Sequence, residues 1–403
     1  MLKNSNLSKL FSGTILSSFA QHMSFVITGS LAFQLTRSEF FTSISWAGNA
    51  LAQIIAFPIS VLITDNFPKN INMFISYFLA GLSAIALALL LHLEISNIWI
   101  VISYIIILGA AQFVGDTSGM SMVPFIVKKN YTQSTFSLIG LAYFISSTVG
   151  PFITGNMVEI YGNSSSVLFK AILLIFAALI YRSIKLETFK KSTQKINFYK
   201  SVKQGLELII KNQNILNLFF IHWMVYMLAV PGIHGLLPVH AYEKFNLGAQ
   251  GVGLLFTAIG SGGVASTILL TFTGNKIRNK TKLIFLCNIL ASISMIMFAQ
   301  SDSKILSIIF LVFFNFCIIN ILTLRLGLLG ELMPKESLGK IFSINFLSSS
   351  TTLVGSGVMG ILAKLYGATI GTTIFGITSL ILLFLMIIFL KSFRTAIFDS
   401  QAY

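Results

Sequence analysis

Charged side chains are scarce in this sequence. They make up 10% of its 403 residues, where a soluble domain carries about 25%. So few charges cannot cover a water-facing surface, and a soluble globular protein is excluded. Acids are scarcer still, with 12 Asp and Glu against 27 Lys and Arg. No clustered nucleophile, ligand set or carboxylate pair stands out, and the chain is not expected to be an enzyme. Only 2 cysteines occur, Cys287 and Cys317, both inside apolar stretches, so no disulfide framework is expected. The 5 histidines are scattered without the spacing of a zinc cluster, and neither a metal nor another cofactor is expected. No GxxxxGK[ST] phosphate loop is present, which argues against ATP-driven work by this chain alone. The net charge of +15 comes without any motif for nucleic acid, and none is expected as a partner.

What the sequence has in abundance is apolar length. Runs such as Ile71–Leu91, Ile98–Phe113 and Ile370–Leu390 recur along a chain that is 55% hydrophobic. A bilayer core about 30 Å thick takes about 20 apolar residues as a helix. Barrel strands are shorter and alternate in polarity, so these runs read as helices. Twelve spans are expected, near 10–35, 41–63, 71–93, 97–127, 134–158, 165–184, 214–240, 249–273, 282–300, 305–330, 338–363 and 369–390. The opening MLKNSNLSKL runs straight into the first of them, without a cleavage pattern, and reads as a retained helix.

The positions of the basic residues give an orientation. Lys3, Lys9, Lys69, Lys128, Lys129, Lys276, Arg278, Lys280, Lys282, Lys335, Lys340, Lys391 and Arg394 fall at the termini or in alternate loops, and the segment between spans six and seven adds eight more from Arg182 to Lys211. The opposite loops and span ends hold Arg37, Lys170, Lys244, Lys304 and Lys364, offset by Glu39, Glu94, Glu159, Glu243 and Asp302. Lys/Arg excess marks the cytoplasmic side, which puts both termini there and agrees with an even number of spans. The central basic segment also carries Ile196, Val202, Leu206 and Ile209–Ile210 at helical spacing. It reads as a solvated linker with one surface helix, with attraction to anionic lipid as the alternative.

One pattern occurs twice. STVGPFITGNMVEIYG at Ser147–Gly162 is matched by TLVGSGVMGILAKLYG at Thr352–Gly367, with Val149, Gly150, Gly155, Tyr161 and Gly162 recurring as Val354, Gly355, Gly360, Tyr366 and Gly367. TDNFPKN after span two has a loose counterpart in TGNKIRN after span eight, and Phe136–Ser137 is echoed by Phe342–Ser343. The common order points to duplication: residues 1–184 and 214–403 as two six-helix bundles, joined by a basic linker at 185–213. Glycines five apart lie about 140° apart around a helix, so each pair frees two flanks for close approach. Pro151 lacks an N–H and favours a bend; Ser356 stands at that place in the second copy.

With these residues in view, the chain resembles a major facilitator superfamily transporter over nearly its whole length. Gly150-Pro151 followed by Gly155 resembles the fifth-helix GPxxGG pattern of that superfamily's exporters, with Thr154 at the first of the paired glycines. The loop after span two resembles GxxxDRxGRR: Asp65 and Lys69 carry over, while Val61, Asn66 and Pro68 replace the first glycine, the first base and the second glycine. The recurrent glycine spacing resembles the branch of macrolide-efflux and enterobactin-export proteins. The resemblance implies an all-α membrane protein of twelve transmembrane helices in two pseudo-twofold-related bundles, with Asp65 and Lys69 in a gate. An ordinary solvated turn is the alternative for those two residues.

Only two charges lie clearly inside the spans, Asp116 and Arg325, and intramembrane charges are functional candidates by default. They are candidates for coupling or gating: pairing across the cavity when the cytoplasmic side closes, or proton exchange at Asp116. The alternative is that each is satisfied within its own half, by Thr117, Asn320 or main chain. Candidate substrate-cavity residues are Gln21, His22, Gln53, Tyr143, His222, Tyr226 and Asn320, a few polar groups among apolar walls that suit an amphipathic solute. Gly150, Pro151, Gly155, Gly355 and Gly360 are the candidate helix-bend residues. The function these readings imply is secondary transport by alternating access, as proton-coupled export of a drug-like or siderophore-like small molecule. Nutrient or siderophore uptake, or lipid transport on the same fold, are the alternatives. A monomer in a bacterial cytoplasmic membrane is expected.

Overall fold

The computed structural model describes residues 4–127, 131–186, 198–332, 344–345 and 347–389. Their backbone runs as helix after helix, with no strand among them. In chain order these are α1 (Ser5–Thr36), α2 (Glu39–Asn66), α3 (Lys69–His92), α4 (Ile98–Ile126), α5 (Thr132–Arg182) and α6 (Phe198–Lys211). The span α7 (Gln213–Lys244) follows, then α8 (Gly248–Thr273), α9 (Lys280–Gln300), α10 (Lys304–Leu332), α11 (Thr352–Tyr366) and α12 (Ala368–Phe389). Among the described residues, ten helices are long and apolar enough to cross a bilayer. Helices keep their main-chain groups paired where no water can serve them. Asparagine opens the first helix of each half: Asn4 accepts from the Asn6 and Leu7 amides, and Asn212 accepts from those of Asn214 and Ile215. Each satisfies N–H groups that the helix itself leaves free.

α5 supplies two of the expected crossings. Ser146 donates to Ile15 O at 3.4 Å, while Tyr181 packs on Gly13 and shares a 2.9 Å hydrogen bond with Ser17. Two distant points of α5 thus meet one stretch of α1, so the chain doubles back between them. The reversal is at Gly162, with φ 79° and ψ 172°, a conformation essentially reserved for glycine. Gly367, its counterpart in the repeat, turns the chain between α11 and α12 with φ 87° and ψ 157°.

The helices pack as two bundles, one mainly from α1–α5 and one mainly from α7–α12. The linker helix α6 seats Ile209 against the second bundle and leaves Leu206 and Ile210 exposed. Of the other residues of its expected apolar stripe, Ile196 and the Val202 side chain lie outside the described residues, as do Phe342 and Ser343 of the repeat. We call the end of the molecule that holds Ser5, Lys69, Arg182 and Lys280 the basic face, and the end that holds Arg37, Gly162, Asp302 and Gly367 the far face.

The repeated glycines are the contact points of this architecture. A Cβ on Gly150 would lie 3.3 Å from His22 Cβ and 3.5 Å from Phe19 O, on α1 of its own half. On Gly355 it would strike Met227 O and come within 2.8 Å of Pro231 Cγ, on α7 of its own half. The second glycine of each copy instead faces the other half. Gly155 would meet Ala249 O and Gly253 Cα at 2.9 Å on α8, and Gly360 would meet Phe40 Cα at 3.1 Å on α2. The first glycine of each pair therefore anchors its helix within a bundle. The second brings the two bundles together, backbone on backbone.

One expectation is overturned. Lys170 is not at a span end: it is fully buried within the returning arm of α5. Its Nζ donates to Ser24 Oγ of α1 at 2.5 Å and to Tyr104 OH of α4 at 2.6 Å. The apolar-run reading placed it at the end of the span 165–184, next to the serine-rich stretch 164–166.

Two outcomes follow from this packing. Gly253→Leu, which forces side-chain atoms into the α5 backbone, should open the far face. In purified protein a cysteine placed at Gln250 should then react faster with a maleimide. Gly357→Leu, where nothing lies within 4 Å, should leave the rate unchanged; equal rates in the two variants would contradict the contact. Lys170→Ala leaves a cavity and removes the donor that Ser24 Oγ and Tyr104 OH share, worth about 2–5 kcal/mol for a large-to-small change of this kind. Its thermal midpoint in detergent should fall clearly, and that of Lys170→Met should fall less.

Candidate substrate cavity and gates

Three adjoining compartments run from the first bundle to the seam between the two. The one nearest the basic face has a volume of about 520 Å³ and, among the described residues, is walled by α1–α5, with Thr14, Ser17, Gln21, Gln53, Tyr77, Phe113, Asp116, Tyr143 and Tyr181 among its lining. A middle compartment of about 390 Å³ is shared by both halves: Gln21, Trp46, Asn49, Gln53, Gln112 and Asp116 face Tyr226, Ser349 and Thr352. The deepest, about 240 Å³, is closed in by His22, Phe25, Trp46, His234, Phe256 and Asn315.

The far end is sealed by aromatic rings from both halves. Trp46 lies 5.0 Å from the His234 ring and is stacked 6.0 Å from Phe256, and Phe25 lies 4.7 Å from Trp46. Beyond this plug, Ser43 donates to Ser356 O at 2.8 Å, Gln250 to Asn156 Oδ1 at 2.9 Å and Gln34 to Tyr242 OH at 2.7 Å. Near mid-membrane, Thr257 donates to Thr148 O at 3.1 Å. These cross-half bonds lie from mid-membrane outward. The conformation is closed at the far face, with its largest compartment toward the basic face.

The expected cavity residues divide. Gln21 and Gln53 line the first two compartments, Tyr143 lines all three, and Tyr226 lines the middle and deepest. His22 reaches the deepest compartment, with Nδ1 2.7 Å from Ser18 O and its ring edge-on to Tyr143 at 4.7 Å. His222 and Asn320 line none of the three. His222 is buried, with Nε2 3.2 Å from Asn345 O. Asn320 is buried and donates to Ser266 Oγ at 2.8 Å. A polar residue in an apolar span can face a cavity or bridge two helices, and periodicity alone does not separate these cases.

The candidate gating charges are each held within their own half in this conformation. Tyr77 of α3 donates to Asp116 Oδ1, and Asp116 is otherwise exposed to the cavity. Arg325 is buried to 1% exposure, donates through Nη2 to Asn345 Oδ1 and lies 5.9 Å from the Phe219 ring. Among the described residues its Nε and Nη1 have no acceptor. The partners are therefore Tyr77 and Asn345, not the Thr117 or Asn320 weighed from sequence. Lys69 sits 5.1 Å from the Phe125 ring and 3.4 Å from Thr64 O, both in its own half. The Asp65 backbone ends α2, while its side chain lies outside the described residues.

Sequence reasoning missed the aromatic members of the site: Phe25, Trp46, Tyr77, Phe113, Tyr181 and Phe256. With 37 Phe and 11 Tyr in the chain, an aromatic in a span is ordinarily lipid-facing or packed between helices. Trp46 carried a usable signal, as one of only 3 tryptophans.

Comparison with known proteins places this architecture. The family model described as Major Facilitator Superfamily matches residues 10–351. Among solved structures the chain is similar to the nucleoside transporter NupG (TM-score 0.78, 10% identity, covering 96% of this chain and 99% of that one). It is also similar to a peptide transporter POT bound to sulfate (0.75, 13%, 98% and 96%). A third likeness is to a bacterial homologue of the human lysosomal transporter Spinster, in an inward-facing and unoccupied conformation (0.71, 9%, 100% and 98%). No curated protein sequence matches the chain. A cavity between two helical bundles sealed at one end, on a fold shared by these transporters and under a family model spanning most of the chain, carries one conclusion: the protein belongs to the major facilitator superfamily.

Proposed function

We propose that the protein is a secondary active transporter that exports an amphipathic small molecule in exchange for protons. The observation that carries this reading is the cavity: an acid, Asp116, stands exposed in a chamber of aromatic and amide side chains closed at the far face by Trp46, His234 and Phe256. On this reading the basic face is cytoplasmic, as the Lys/Arg excess implies, and the membrane is a bacterial inner membrane. The GP-x3-G pattern at Gly150-Pro151 and Gly155 supports the exporter branch, by likeness to exporters of the superfamily. Export then begins from the conformation described above, with the cavity facing the cytoplasm.

Closing the basic face brings α4 and α10 together. Asp116 then leaves Tyr77 for Arg325, whose Nε and Nη1 lack acceptors among the described residues. That pairing empties the chamber and fixes the outward-open state, while proton uptake at Asp116 releases it. Arg325 thus acts as a gate, Asp116 as both gate and coupling group, and Gln21, Gln53, Tyr143 and Tyr226 as the cavity wall. Asp65 and Lys69 are proposed as the outer part of the same gate. A monomer suffices for this cycle, because both walls come from one chain.

In everted vesicles whose interior is made acid, the wild type should accumulate an exported substrate; dissipating the gradient should abolish accumulation. An importer would not accumulate it. Asp116→Asn and Arg325→Gln should each lower flux more than tenfold, and exchanging the two residues should restore part of it. Losses that simply add in the exchanged protein would count against the pairing.

A further inference from the structure

The basic face carries a concave site that is separate from the three compartments. An open cavity of about 830 Å³ lies where α1 and α3 begin and α5 ends, with Lys9, Pro68, Asn70, Arg182, Lys185 and Leu186 in its walls. Among the described residues its whole lining comes from the first half and includes no acid. Two stretches of sequence more than 170 residues apart thus bring three cations to one cavity.

The cavity is built on a tied backbone. Asn70 Nδ2 donates to Ile184 O at 3.0 Å and Asn6 Nδ2 to Lys185 O at 2.7 Å, while Lys185 N donates back to Asn6 Oδ1 at 3.1 Å. Lys9 Nζ donates to Ser183 O at 2.9 Å. Residues 183–185 are therefore fixed to both α1 and α3, and Lys9 spends only one of its three N–H donors among the described residues. Cations at a helix end ordinarily offset its dipole, but that need is about half an elementary charge. Three cations exceed it about sixfold. The ion pairs among the described residues are Lys244–Asp302 and Lys280–Glu331, so no carboxylate there neutralises Lys9, Arg182 or Lys185.

A phosphate group matches this set. Arg182 offers a planar fork of N–H donors that meets phosphate oxygens two at a time, and Lys9 and Lys185 add point charges. Pro68 and Leu186 leave part of the wall apolar, which suits the glycerol and first acyl carbons of a lipid better than a bare ion. The cavity stands level with the ends of its helices, where headgroups surround a span, and basic pockets between such helix ends take anionic headgroups. We infer that the cavity bounded by Lys9, Asn70, Arg182 and Lys185 is a binding site for a phosphate group, with the phosphodiester of an anionic lipid as the source its apolar wall favours. The site lies outside the transport cavity and does not rest on the transport reading.

The test offers the purified full chain, in detergent, phosphatidylglycerol and phosphatidylcholine at equal concentration and counts bound lipid by native mass spectrometry. The wild type should bind phosphatidylglycerol at least tenfold more tightly. Changing Lys9, Arg182 and Lys185 together to Gln should remove most of that preference. Changing Lys276, Arg278 and Lys282 to Gln takes the same charge from the exposed basic face of the second half and should leave the preference intact. Lys185→Glu, at an exposed position, should alone weaken phosphatidylglycerol binding about fivefold or more, which keeps the test decisive if the triple variant fails to fold. Equilibrium dialysis of lipid-free protein against inorganic phosphate distinguishes the source. Phosphate held by the wild type and lost in the cavity variant supports the site with a free anion as its ligand; a lipid preference without phosphate binding supports it with the headgroup as its ligand. Equal losses in the two triple variants, or neither a lipid preference nor phosphate binding in the wild type, would overturn the inference.

Discussion

The structure depends on how closely two helix backbones can approach. At the far face the bundles meet where Gly155 lies against Gly253 and where Gly360 lies against Phe40. Any side chain at Gly155 or Gly253 would hold α5 and α8 apart. Within a membrane no hydrophobic force distinguishes helix from lipid, so association rests on close van der Waals packing and a few hydrogen bonds. A contact made mostly by backbone and bridged by a few hydroxyl and amide bonds is firm when closed and separates along one surface when opened. The aromatic plug of Phe25, Trp46, His234 and Phe256 can seal the cavity only because this contact brings its two sides within about ring-stacking distance.

Charge placement follows the same economy of position. Ionic groups are costly in hydrocarbon, and the described residues include three within the bundles, each with a different solution. Lys170 is satisfied by hydroxyls from two other helices and has no route to the cavity. Arg325 is enclosed but only partly satisfied among the described residues. Asp116 takes one hydrogen bond from Tyr77 and leaves the rest of its carboxylate to the cavity. The series runs from enclosed and satisfied, through enclosed and partly satisfied, to accessible, which is the gradation the proposed cycle uses.

Much of the fold was legible in the sequence, because the constraints that shape it are long and repetitive. Apolar runs of bilayer length gave the helices, and the glycine repeat gave two halves and even the two flanks on which each helix would be approached. Gly162 and Gly367 sit where both copies require a backbone that other residues resist. The site was less legible. Gln21, Gln53, Tyr143 and Tyr226 do face the cavity, whereas His222 and Asn320, of equal polarity, bridge helices instead. Lys170 was assigned to a span end because nothing in its neighbours announces that Ser24 and Tyr104 converge on it. Tyr77, which holds Asp116, lies on another helix and shares no motif with it. Such pairings arise from tertiary geometry, which one sequence without relatives does not display.

The central claim is that the two bundles rock about the glycine contacts, so that one face opens as the other closes. Spin labels on the outer ends of α5 and α8, and a second pair on the inner ends of α4 and α10, measure both faces in one protein by electron–electron distance. On shifting the protein between its conformations by ligand or by proton, the account predicts that one distance lengthens as the other shortens. Distances that change in the same direction, or an inner pair that moves while the outer pair stays fixed, would contradict it.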